Sequence, residues 1–137
     1  MSETIPVISA VYETILYAED VSKAASFYER TLGLPLLREV PDRSAVFRMS
    51  PECHVLLFNP SWSERGDRGI ASHGARGSGH IALRIREQDL AAWRDRLAKA
   101  GIRIELERRW PAGGHSLYIR DPAGNSVELA AGEVWLD

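Results

Sequence analysis

Glu13, His80 and Glu128 are the side chains of this sequence best suited to share chemistry. Glu128 lies on the alternating run Ser126-Val-Glu-Leu-Ala130, just after Asp121-Pro-Ala-Gly-Asn125. Proline fixes φ at about −65°, and glycine or asparagine accepts positive φ, so that stretch is built to turn. Strand side chains change face at every residue. Glu128 therefore points away from Val127 and Leu129. A carboxylate held on a strand beside a tight turn can serve as a metal ligand or a base. It can also be an ordinary solvated edge residue.

The elements that carry these residues decide between those roles. Gly79 to Ile85 reads as a strand with Ile81, Leu83 and Ile85 on one face and His80, Ala82 and Arg84 on the other. Glu13 holds the corresponding place in the strand candidate Val11 to Ala18. Asp20, with Ser22 as rival, caps a helix carrying Ala24, Ala25, Phe27, Tyr28 and Leu32, and Gly33 stops it. Short strands follow at 35–39, 44–49 and 53–58. The segment 87–100 is a second helix ended by Gly101, and strands at 103–109, 115–120 and 126–130 complete the chain.

These segments form an internal repeat. Tyr12-Glu-Thr-Ile-Leu-Tyr-Ala18 aligns with Gly79-His-Ile-Ala-Leu-Arg-Ile85, which puts Glu13 on His80. Phe27-Tyr-Glu-Arg30 aligns with Trp93-Arg-Asp-Arg96, and Gly33-Leu34 with Gly101-Ile102. Each half reads βαβββ. The expected division is a first module at 11–59, a glycine-rich connector at 60–78 and a second module at 79–132. The fold class is α+β, with one face of each sheet covered by its helix and the other open. Two such units can pair their open faces into a cleft. Glu13, His80 and Glu128 each lie opposite a helix-facing apolar set, as three potential ligands on one side of a curved sheet.

Composition narrows the partners. An apolar fraction of 45% with 26% charged residues fits a soluble globular chain. A formal net charge of −2, with no basic run interleaved with aromatics, excludes a nucleic-acid or anionic-membrane reading. Cys53 is the single cysteine, which fits a small buried strand residue in a reducing cytoplasm. No apolar run approaches the ~18 residues of a membrane span, and a cytoplasmic protein is expected.

The ordered pattern Glu13…Asp20…Ala25-Ser-Phe-Tyr28…Leu32-Gly33, then Gly79-His80-Ile-Ala-Leu83, then Asp121-Pro-Ala-Gly124…Glu128-Leu129, resembles the vicinal oxygen chelate superfamily. That superfamily includes glyoxalase I, bleomycin-resistance proteins, fosfomycin-resistance enzymes and extradiol dioxygenases. The resemblance spans about residues 11–132 and implies paired βαβββ modules forming an open barrel around a metal. It implies ligands at Glu13 (usually histidine in the family), His80 and Glu128. The additional glutamate of glyoxalase I falls near Leu57, within His54-Val-Leu-Leu-Phe58, and is apolar here. The three-ligand fosfomycin-type enzymes match better, and their Ser-aromatic-Tyr-aromatic-x-Asp-Pro stretch is similar to Ser116-Leu-Tyr-Ile-Arg-Asp-Pro122.

A histidine with two carboxylates suits Mn²⁺, Fe²⁺, Zn²⁺ or Ni²⁺ with positions open for substrate and water. The implied function is a metal-dependent isomerase, lyase or thiol transferase of the glyoxalase and dioxygenase type. Its substrate is a small oxygen-chelating molecule, and it works as a homodimer; modules of this family often pair across subunits, which would bring Glu13 to His80 and Glu128, and pairing within a subunit is the alternative. The rival is a non-catalytic drug- or metabolite-binding protein of the bleomycin-resistance type. Glu13 is either a ligand or a catalytic base. Tyr118 is a candidate to bind or protonate an oxyanion, or else a half-buried barrel aromatic. Arg120 could clamp a carboxylate or phosphonate, or lie on the surface. His115 and His73 are expected in loop or rim positions and His54 in a structural one. Trp62, Trp110 and Trp135 are open between cleft and dimer contact.

Overall fold

Strand β1 (Glu13–Tyr17) is the first element of the computed structural model, which describes residues 4–136. Helix α1 (Val21–Ser26) follows, then β2 (Leu36–Val40), β3 (Ser44–Ser50) and β4 (Cys53–Phe58). The connector carries the short helix α2 (Pro60–Ser63). The pattern restarts with β5 (His80–Ile85), α3 (Leu90–Lys99), β6 (Leu106–Arg109), β7 (His115–Arg120) and β8 (Ser126–Ala131). The strands form two four-stranded sheets, in the orders β1-β4-β3-β2 and β5-β8-β7-β6. This is the α+β repeat that the residue pattern implies. In each sheet the first strand pairs parallel with the last, and the remaining pairs are antiparallel.

Asp20 wins the capping position: its Oδ1 accepts from the Lys23 amide at 3.1 Å. Beyond α1 the helix widens into a π turn over Phe27–Thr31, where the Leu32 amide donates to the Phe27 carbonyl at 3.2 Å. Helical spacing does not reveal this turn. Gly33, at φ 76°, ends the element as expected. Strands β1 and β6 start later than the apolar pattern suggests, at Glu13 and Leu106. Ile102 and Ile104 are half-buried against the core, but the β6 to β7 pairing begins only where the Glu105 amide meets the Tyr118 carbonyl at 2.8 Å.

One apolar core joins both halves, with Leu16, Tyr28, Phe47 and Leu57 from the first and Leu97, Leu117, Ile119 and Leu129 from the second. Across the seam the joint is polar. The Tyr28 hydroxyl donates to Asp121 Oδ2 at 2.6 Å, and Asp121 Oδ1 accepts from the Ala123 and Asn125 amides at 2.8 and 2.9 Å. Asn125 Nδ2 donates to the Tyr17 carbonyl at 3.1 Å, while its Oδ1 accepts from the Gly79 amide at 2.8 Å. Burial, and then the Asp121 charge, push the Tyr28 phenol far above its ordinary pKa, so it stays a donor. The Asp-Pro-Ala-Gly-Asn segment is thus a turn and also the joint between halves.

The connector folds back on the first half. His73 Nδ1 lies 2.8 Å from the Tyr17 hydroxyl, and its ring meets Phe58 edge-on at 4.8 Å. Arg76 forks onto Glu64 at 2.7 and 3.0 Å. Among the described residues, no helix is long and apolar enough to cross a membrane.

Among the described glycines, Gly114 leaves the least room for a side chain. Its amide donates to the Glu133 carbonyl at 2.8 Å, and a Cβ on Gly114 would collide with that same carbonyl. Gly114→Ala is expected to lower stability by about 1–3 kcal/mol through forced backbone movement. An unchanged thermal midpoint would refute this packing.

Candidate metal centre

β5 and β8 run side by side, so His80 pairs in register with Ser126, and Ala82 with Glu128. This brings His80 and Glu128 together on the face away from the core. His80 Nε2 stands 3.3 Å from Glu128 Oε1, with the histidine 49% exposed and the glutamate 8%. His80 Nδ1 lies 3.1 Å from the Ser126 carbonyl, which can only accept. The Ser126 hydroxyl, also 3.1 Å from Nδ1, can accept or donate. The tautomer with its proton on Nδ1 matches the carbonyl and turns the Nε2 lone pair toward Glu128, the orientation that metal-binding histidines adopt, whereas the other tautomer would donate from Nε2 to Glu128 Oε1. Two lone-pair atoms facing each other repel unless a proton or a cation lies between them.

The spacing fits a cation. Two donors each about 2.1 Å from one ion, and about 100° apart, stand about 3.2 Å from each other. The second carboxylate oxygen is engaged elsewhere: Glu128 Oε2 accepts from Ser116 Oγ at 2.5 Å, and Ser116 Oγ accepts from Trp110 Nε1 at 2.8 Å. Tyr118 pairs with Glu128 across β7 and β8, and its ring stacks near His80 at 6.2 Å. Burial raises the Tyr118 pKa, and the charge and hydrogen bonding of Glu128 raise it further, so the phenol remains a donor.

Other expected site residues lie differently. Glu13 is exposed on the first sheet, paired in register with His54. Among the described residues, no three His, Cys, Asp or Glu side chains gather closely enough to hold a metal. One chain thus unites two of the three expected ligands. Arg120 shares the Tyr118 face, but its guanidinium is tied to Glu105 Oε2 at 3.1 Å, Ser78 Oγ at 3.0 Å and the Gly124 carbonyl at 3.1 Å. It braces the turn. Arg108 is an exposed cation of this face: it pairs in register with Ser116, stacks 5.0 Å over Trp110, and its charge opposes the rise in the Tyr118 pKa.

The remaining histidines are placed by their partners. His115 turns toward the helix side, 3.4 Å from Arg94 Nη2 and 3.8 Å from Glu107 Oε2. His54 is buried, with Nδ1 3.3 Å from the Tyr12 carbonyl. The position in the first sheet equivalent to Glu128 is Leu56, which pairs with Ile15 as Glu128 pairs with Ala82. Leu57, expected there from the sequence, faces the core. A shift of one residue exchanges the faces of a strand. The position is apolar in either case.

The sequence leaves Trp110 open between cleft and dimer contact and gives Ser116 no role of its own; the structure joins the two beside Glu128. The available signal was the turn Pro111-Ala-Gly-Gly114, since folding β6 back on β7 there puts Trp110 beside Ser116 on the Tyr118 face.

A family model described as the Glyoxalase/Bleomycin resistance protein/Dioxygenase superfamily matches residues 10–129. The metallothiol transferase FosB of Bacillus licheniformis is 27% identical over 129 residues, covering 93% of this chain and 79% of that protein. A probable lactoylglutathione lyase of Vibrio parahaemolyticus is 26% identical over 129 residues, covering 87% and 88%. Among solved structures, a lactoylglutathione lyase from Agrobacterium tumefaciens aligns with a TM-score of 0.86 and 38% identity, over 93% of this chain and 97% of that one.

Proposed function

The chain belongs to the glyoxalase/bleomycin resistance protein/dioxygenase superfamily, and from that membership we propose that it is a metal-dependent enzyme of the isomerase, lyase or thiol-transferase type. Its substrate is a small molecule that chelates through oxygen. The observation carrying this reading is His80 Nε2 standing 3.3 Å from Glu128 Oε1 on the sheet face away from the core, a histidine and a carboxylate spaced as two ligands of one ion.

His80 and Glu128 would hold Mn²⁺, Fe²⁺, Zn²⁺ or Ni²⁺, and Glu13 of a second copy would supply the third ligand or a base. When bound, the metal supplies Lewis-acid stabilisation of a developing oxyanion or enolate. Tyr118 donates its phenol proton to an oxygen bound in front of it. Arg108 offers positive charge to an acidic group on the substrate. Arg120 keeps the β7 to β8 turn in place. The homodimer is supported by the exposed apolar side chains Ile5, Val7, Ile8, Val11 and Tyr12 that lead into Glu13, which a second copy would cover. The protein works in the cytoplasm.

Metal analysis of the purified protein tests this. One equivalent of transition metal per site is expected, or titration with Zn²⁺ or Mn²⁺ at sub-micromolar affinity. Absence of metal binding would sink the enzyme and leave a drug- or metabolite-binding protein of the bleomycin-resistance type. Mixing Glu13→Gln and Glu128→Gln subunits tests the shared site. Neither variant alone is expected to bind as wild type does, and one intact metal site per mixed dimer is expected; no recovery would put Glu13 in the site of its own subunit, and wild-type binding by Glu13→Gln alone would remove it from the ligand set. Thermal shifts against thiols and 2-oxo compounds then sort the substrate class.

A further inference from the structure

We propose that Trp110 and Ser116 are positioning residues that fix how Glu128 meets its ligand, an inference that rests on the metal reading above. The direction of the chain follows from the groups themselves. An indole N–H can only donate, so Ser116 Oγ, 2.8 Å away, must accept from Trp110. A serine hydroxyl has one proton, and the Glu128 Oε2 atom 2.5 Å away takes it. Ser116 is fully buried, so no water competes for either bond. Oε2 is thereby occupied, and Oε1 alone faces His80 Nε2. Glu128 is held as a one-oxygen donor and does not swing to offer both oxygens.

The anchor at the far end is rigid. The Trp110 amide donates to the Gly114 carbonyl at 2.9 Å, and its own carbonyl accepts from Gly113 at 2.9 Å. The Gly114 amide is fixed in turn to the Glu133 carbonyl at 2.8 Å. The Arg108 guanidinium lies 5.0 Å over the indole ring. Main chain and side chain of Trp110 are thus both fixed before any ligand arrives. A phenylalanine would fill the same space without the donor.

The test uses the whole protein with Zn²⁺ or Mn²⁺ alone as the probe. Ser116→Ala is expected to weaken metal binding about 10–100-fold, the usual effect of removing a hydrogen-bond partner of a ligand. Trp110→Phe, which keeps the packing, weakens it toward the lower end of that range. Ser116→Thr restores most of the affinity. In the metal-free protein, the Trp110 indole N–H resonance shifts in Glu128→Gln, which packing alone would not cause. Wild-type binding with Ser116→Ala within about twofold of it, against the 10–100-fold expected, overturns the proposal. A Trp110 resonance that ignores Glu128→Gln overturns it independently of any metal. Failure of the wild-type protein to bind metal overturns the preceding reading instead, and this role with it.

Discussion

Glu128→Gln reduces metal affinity by at least about 100-fold while the thermal midpoint stays close to that of the wild-type protein. The loss exceeds that of a supporting residue because the replaced group is itself the ligand. Glutamine keeps the shape and removes the charge. Its amide then has two placements, both unfavourable. With –NH₂ toward Ser116, it aims a donor at a hydroxyl whose own proton loses its acceptor, because Trp110 already donates to that oxygen. With –NH₂ toward His80, it donates to Nε2 and occupies the histidine lone pair. The first placement offers a cation only a neutral amide oxygen, and the second blocks both lone pairs, so affinity falls in either case. Calorimetric titration with Zn²⁺ measures the effect, at 1.4 kcal/mol for each tenfold. A glutamine variant that binds as tightly as wild type would remove Glu128 from the ligand set.

Asp121→Ala has the largest expected effect on stability. The carboxylate is buried and accepts from the Tyr28 hydroxyl, the Ala123 and Asn125 amides and the Asn125 side chain. Alanine removes all four bonds and leaves the Tyr28 hydroxyl and the two amides without an acceptor, while Asn125 Nδ2 keeps only the Tyr17 carbonyl, at about 1–3 kcal/mol for each donor that water cannot reach. The total loss is about 4 kcal/mol or more, a large share of the 5–15 kcal/mol that holds a typical domain together. Tyr28→Phe is the gentler control and costs about 1.5–3 kcal/mol, because the bond it removes is to a charged acceptor. Denaturant melts of both variants decide the matter. If Asp121→Ala costs no more than Tyr28→Phe, the turn contributes no more to the joint than that single bond.

Alternation and a repeated pattern were enough to place most of this fold. Residues on one strand differ in face by parity, and parity is visible in a sequence. That is why His80, Glu128 and Tyr118 could be put on one face before any coordinates. Parity does not give distance between sheets, so Glu13 was grouped with residues that its own chain does not bring to it. Nor does parity show what a long side chain reaches. Arg120 and Arg108 share a face, but Glu105, Ser78 and the Gly124 carbonyl tie down only the first. Leu57 was one register step from the right residue, and in a strand one step is the opposite face. The Trp110 to Ser116 bond joins residues six apart across a glycine turn, where neither helical nor strand periodicity applies.

The closing of each half by its own first and last strands also sets an order of assembly. Glu13 must find His54, 41 positions later (54 minus 13), and His80 must find Ser126, 46 positions later (126 minus 80). Each of these loops carries the entropy cost of a long-range closure. During synthesis the amino-terminal half can close as soon as Phe58 is free, well before the second is made. Its Tyr17 carbonyl then waits for Asn125, 108 positions along the chain. The bonds that tie the halves together are therefore formed only after the second half has been made.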